Sequence, residues 1–82
     1  MPDDYDNWNE QMDLPIIYVD AFRIGFDAYK FVLDLGAIPQ DAETPKFTTR
    51  MIMGPDIAME FVEILRQSFK EYKGRFGQIN TL

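Results

Sequence analysis

Apolar positions along this chain follow a period of two over its first half and a period near 3.6 over its second. Leu14 to Phe26 is rich in β-branched and aromatic residues: Ile16, Ile17, Tyr18, Val19, Phe22, Ile24 and Phe26. Pro15 suits the first position of a strand. Phe22 to Phe26 alternates apolar with polar or small residues, Asp27-Ala28 predicts a short connection, and Tyr29 to Gly36 alternates again. In that second run Tyr29, Phe31, Leu33 and Leu35 fall on one face, which together predicts a β-hairpin. A helical reading competes, since Val19, Phe22, Phe26, Tyr29 and Leu33 also fit one helical face. Gly25 in mid-segment, the lack of a cap before Val19 and the β-branched enrichment favour strands. Gly36 to Pro45, with two prolines and two acids, reads as a loop. Phe47 to Met53 reads as a third strand, antiparallel to the second by adjacency.

Residues 55 to 73 read as a long amphipathic helix. Pro55 suits the first helical position, and Asp56 places negative charge where the helix dipole favours it. On a helical wheel Ile57, Ala58, Phe61, Val62, Ile64, Leu65, Phe69 and Tyr72 fall within an arc of about 160°. Ser68 is the polar residue inside that arc, and Met59 is the apolar one outside it. Glu63–Arg66 and Glu71–Arg75 are spaced to pair. Gly74 is the predicted stop. The expected fold class is therefore α+β: an antiparallel three-stranded sheet, a β-hairpin plus a third strand, followed by one long C-terminal helix packed on the sheet.

Composition adds an expectation of assembly. Eighty-two residues make one domain at most, and a chain this short buries roughly 60 to 65% of its surface. There is no Cys and no His, which removes disulfides, thiolate zinc sites and the commonest metal ligand and general base. A second subunit is then the natural stabiliser. The apolar content of 46% is ample for a core. An arc of about 160° is wider than one small sheet needs, and the first strand begins apolar on both faces. A two-fold homodimer is expected. Its candidate interface residues are Ile17, Val19, Val62 and Phe69.

Charge is distributed unevenly. Asp3, Asp4, Asp6, Glu10, Asp13 and Asp20 precede the first base, whereas the remaining acids equal the 8 bases in number. Residues 1–13 are expected to form an acidic, disordered arm ahead of a single domain over 14–82. Tyr5 and Trp8 in that arm are candidate anchors for a partner protein. No basic footprint for nucleic acid or anionic lipid is present. No apolar run is long enough to span a membrane and no positively charged leader is seen, so a cytoplasmic protein is expected.

Three segments resemble a family of short bacterial proteins classed as a domain of unknown function. That family shows a Y-x-N element, a hairpin ending in Y-D-F-x-L-x-F-G, a strand leading into S-P-x-x-A-K, and a helix ending in Y-E-x-x-F-G-x-I. The counterparts here are Tyr18-Val19-Asp20, Tyr29 to Gly36, Gly54-Pro55-Asp56-Ile57-Ala58-Met59, and Tyr72 to Ile79. The match covers about residues 16 to 79. Asp20 stands for an Asn, Lys30 for an Asp, Gly54 for a Ser and Met59 for a Lys. The serine would cap the helix better than Gly54 does. The resemblance implies a build and a bacterial origin, and no activity.

Catalytic constellations are not legible. Ser68 is the only serine, sits in the helix's apolar stripe, and is expected to bond back to a helix carbonyl. Asp20 and Asp34 would form a carboxylate pair only if their strands adjoined. There is no glycine-rich phosphate loop and no calcium-loop spacing. The chain is expected to be a non-enzymatic, homodimeric protein–protein interaction module, without cofactor or metal. The alternative is a nucleic-acid-related role: weak single-strand binding on the sheet, where Arg23, Lys30 and Arg50 would lie together, or acidic mimicry of a nucleic acid.

Overall fold

The computed structural model describes residues 14–78. Strands β1 (Ala21–Phe26), β2 (Phe31–Ala37) and β3 (Lys46–Met53) precede one helix, α1 (Pro55–Phe76). The sheet is antiparallel in the order β1-β2-β3, so β2 is central. The α+β class, the three antiparallel strands and the long helix that follows them are as the residue pattern predicts; the helix stands off the sheet rather than packing closely on it, and its apolar residues stay about half exposed.

Three boundaries differ from the pattern. The first strand starts at Ala21, so Ile17 and Val19 lie ahead of the sheet as exposed residues. The hairpin connection is longer than Asp27-Ala28, running from Asp27 to Lys30. The Asp27 carboxylate accepts the backbone N–H groups of Tyr29 (2.8 Å) and Lys30 (3.0 Å) and the Lys30 ammonium (2.8 Å). This Asx-type closure holds Tyr29 in the turn. Tyr29 is accordingly 84% exposed and shares no strand face with Phe31. The helix, for its part, runs past Gly74 to Phe76. Its stop is Gly77, whose φ of 81° suits glycine and whose N–H donates to the Lys73 carbonyl at 3.0 Å.

The register sorts the sheet into two faces, because paired residues point the same way and neighbours alternate. One face carries the rows Phe22–Leu35–Thr49, Ile24–Leu33–Met51 and Phe26–Phe31–Met53. This face is apolar except for Thr49, and the Phe26 and Phe31 rings stack at 5.4 Å. The other face carries Arg23–Asp34–Arg50 as a single row, flanked by Gly25–Val32–Ile52 and Ala21–Gly36–Phe47. Phe47 reaches that face through a bulge. β3 slips by one residue opposite Leu35/Gly36, leaving Thr48 unpaired and reversing the alternation before it.

Only Gly54 separates β3 from the helix. It caps the helix without a side-chain bond, and its carbonyl accepts the Ala58 N–H at 2.9 Å. The chain therefore turns sharply, and the helix's apolar stripe faces the apolar side of the sheet. Ala58 is buried there, but no large side chain among the described residues is fully buried.

Candidate interaction surface

Between helix and sheet lies an open apolar cleft of about 580 Å³. Ile24, Phe31, Leu33 and Met53 line it from the strands, and Phe61, Val62 and Leu65 from the helix. The sheet side is exposed most at β1, where Phe22 is 65%, Ile24 60% and Phe26 74% accessible. The helix stripe from Ile57 to Tyr72 keeps its large apolar residues between 42% and 52% accessible. Contiguous apolar surface on this scale is more than a small monomer usually exposes. Helix and strand each have an apolar side here, and neither closes the other's.

The candidate interface residues are distributed over this surface and beyond it. Val62 lines the cleft. Phe69 continues the helix stripe past the cleft and is exposed. Ile17 and Val19 are exposed in the segment leading into β1. Tyr5 and Trp8 lie outside the described residues. Ile24, Phe31 and Leu33, the strand side of the cleft, are legible as strand residues but not as interface candidates. Their alternation with Arg23 and Asp34 was the available signal, and it needed the register to be read.

The opposite face holds the polar cluster. Asp34 sits in the central strand, only 4% exposed, with an arginine opposite it on each side. The Arg23 Nε–H donates to Asp34 Oδ2 at 2.8 Å. The Arg50 Nε–H donates to Oδ1 at 2.7 Å and its Nη2–H to Oδ2 at 3.0 Å, a bidentate fork. The Arg23 guanidinium also stacks over the Phe47 ring, 4.3 Å from its centroid. Hydrogen bonds from Arg50 first and Arg23 second hold the Asp34 carboxyl well below the usual carboxylate range. Asp20 precedes β1 and does not share this row, so no carboxylate pair forms. Lys30 is engaged with Asp27 in the turn rather than beside the two arginines.

This cluster implies a pH dependence. A carboxyl whose folded-state pKa is depressed contributes stability above its unfolded value, about 4, and loses it as pH falls further. Melting followed by circular dichroism from about pH 7 to about 2 is expected to show wild type well above Asp34→Asn at neutral pH. The two curves should converge on acidification. Curves that stay parallel throughout would sink the assignment.

Elsewhere, two of the helix's polar details follow expectation. The Ser68 hydroxyl donates to the Ile64 carbonyl at 2.9 Å, and Arg66 lies 3.6 Å from Glu63. Among the described residues no helix is long and apolar enough to cross a membrane.

No curated protein and no solved structure matches the chain. The family described as protein of unknown function (DUF3467) matches residues 7–81, which contains the whole sheet, the whole helix and every segment that carried the resemblance. The chain is a member of the DUF3467 family.

Proposed function

We propose that this protein is a non-enzymatic assembly module that works as a homodimer, with a second copy covering the apolar cleft. One observation carries the reading: the cleft is apolar along its sheet wall and, apart from Glu63 and Arg66 on the helix, along its helix wall, yet no large side chain among the described residues is fully buried. Burial of apolar area is the main favourable term in folding, so a chain that leaves these faces in water lacks much of its driving force. A partner needed for folding has to be present whenever the chain is made. Another copy of the chain meets that condition, and its helix presents the apolar stripe that the cleft requires. A two-fold axis then lets each helix stripe cover the other copy's strands, an isologous arrangement. The cleft's sheet wall carries no charge, and on its helix wall Glu63 and Arg66 lie 3.6 Å apart with opposite signs, which argues against an acidic or basic occupant.

Sedimentation velocity at micromolar concentration tests the assembly. The expected mass is twice the 9.6 kDa of the chain. A fully folded species at the single-chain mass would overturn the homodimer and leave the cleft to a different apolar partner.

A further inference from the structure

The polar face of the sheet lies away from the proposed dimer contact and carries a pre-built cationic row. We infer that Arg23 and Arg50, pinned by Asp34 and floored by Phe47, form a binding site for a phosphate group, either free or carried on a small organic molecule.

The first support is charge. The row Arg23–Asp34–Arg50 holds two guanidiniums against one carboxylate, and the rows beside it contain no other ionisable residue. In a chain of net charge −6, this face of the sheet is locally positive. Such a patch attracts an anion.

The second support is donor geometry. Arg23 gives only its Nε–H to Asp34, and Arg50 gives its Nε–H and one Nη2–H. The outer edges of both forks have no partner among the described residues. Guanidinium donors lie in the plane of the group. Stacking Arg23 on Phe47 therefore covers its flat side and leaves the donor edge accessible. Both arginine side chains are 61% exposed although their inner ends are fixed. A shallow depression of about 290 Å³ lies over the row, bordered by Thr48, Thr49 and Phe47.

The third support is preorganisation. Free arginine side chains lose considerable rotamer freedom on binding a ligand. Here the nearly buried Asp34 holds both in place beforehand, so that loss has largely been met during folding. Two forks approaching from different strands suit a tetrahedral anion, whose several oxygens can accept from both at once. A single planar carboxylate already occupies the inner edges as Asp34. The bulge at Thr48 completes the arrangement by delivering Phe47 to this face.

The test follows the side-chain Nε–Hε resonances of Arg23 and Arg50 by ¹⁵N NMR of the full chain. Inorganic phosphate replaces chloride at constant ionic strength, with acetate and adenosine monophosphate titrated in parallel. Saturable shifts at both resonances with phosphate are expected, with little response to acetate. Arg23→Gln and Arg50→Gln are each expected to weaken the phosphate affinity by about tenfold or more, since each removes charge-assisted bonds. Each change also removes a partner of Asp34 and is expected to lower the melting point, so a retained, dispersed backbone amide spectrum at the titration temperature is what shows that the fold is kept. Stronger shifts with the nucleotide would support the site and assign it to an organic phosphate, with Phe47 beside the base. Equal or stronger shifts with inorganic phosphate would support it and assign it to the free ion. Shifts that only track ionic strength, acetate binding as well as phosphate, or a phosphate response that survives both substitutions would each overturn the inference. Because the readout is local to the polar face, its failure is separable from a failure of the dimer.

Discussion

Leu65→Asp is expected to abolish the dimer and remove most of the protein's stability. Leu65 lines the cleft from the helix and is 43% exposed in the single chain. If the chain worked alone, the new carboxylate would stay hydrated and the change would cost about 1 kcal/mol. In a two-fold dimer the same change places a carboxylate from each copy in an apolar layer, with no cation on the strands opposite. An uncompensated buried charge costs about 3 kcal/mol or more. That is a large share of what a domain of this size has in hand. Gln67→Asp, an exposed site two residues on, is the matched control, because it makes the same demand on helix propensity. Sedimentation and chemical denaturation should separate the two variants sharply. A folded Leu65→Asp dimer would refute the proposed interface, and so would two variants of equal stability. Phe69→Asp should follow Leu65→Asp in the same direction if the interface extends along the stripe beyond the cleft.

Gly36→Ala is the second large effect expected, for a different reason. Gly36 lies at the bulge, opposite Phe47 and next to Lys46 across the β2–β3 ladder. A methyl group there would come within 2.7 Å of the Phe47 Cα and closer still to the Lys46 carbonyl oxygen. Both atoms belong to backbone, so no side-chain rotation relieves the clash. Overpacking of this kind costs about 1–3 kcal/mol or more. It should also straighten or shift the bulge, which turns Phe47 away from Arg23. Loss of stability in denaturant titration is therefore expected to accompany loss of the phosphate response at Arg23. Gly25→Ala makes the comparison direct: nothing lies within 4 Å of its added methyl, and it should be nearly neutral. Equal effects at the two glycines would show that space at Gly36 is not what matters.

Much of this structure was legible because the pattern repeats locally. Alternation identified β2 and β3, since each side chain's face depends only on its place in the strand. The helix was legible from its periodicity and from Gly54-Pro55-Asp56 at its start. The family was legible from the order and spacing of its segments. What was missed depends on one side chain or one backbone slip. Asp27 lengthens the hairpin connection by bonding the N–H groups of Tyr29 and Lys30, which sets β1 two residues differently against β2. The shift keeps the β1 residues on their predicted faces but changes their partners, and it is what brings Arg23 opposite Asp34. Gly74 looked like a stop, yet a glycine in mid-helix costs only about 1 kcal/mol, and the positive φ falls at Gly77 instead.

The sequence by itself determined the number of elements, their type and the width of the helix stripe. These are sums over local periodicity and composition, and no long-range contact alters them. Only the tertiary structure decided which residues meet. Strand register placed Asp34 between two arginines, and a one-residue bulge moved Phe47 from the face that alternation alone would give it to the face that carries them. Pairing across strands is set by turn closure and backbone hydrogen bonds, which sum over residues far apart in the chain and leave no periodic trace within either strand. The same holds for the cleft. A helix stripe and a strand stripe were both readable, but that they stand apart, with an open cleft between them, follows from how one glycine joins β3 to α1.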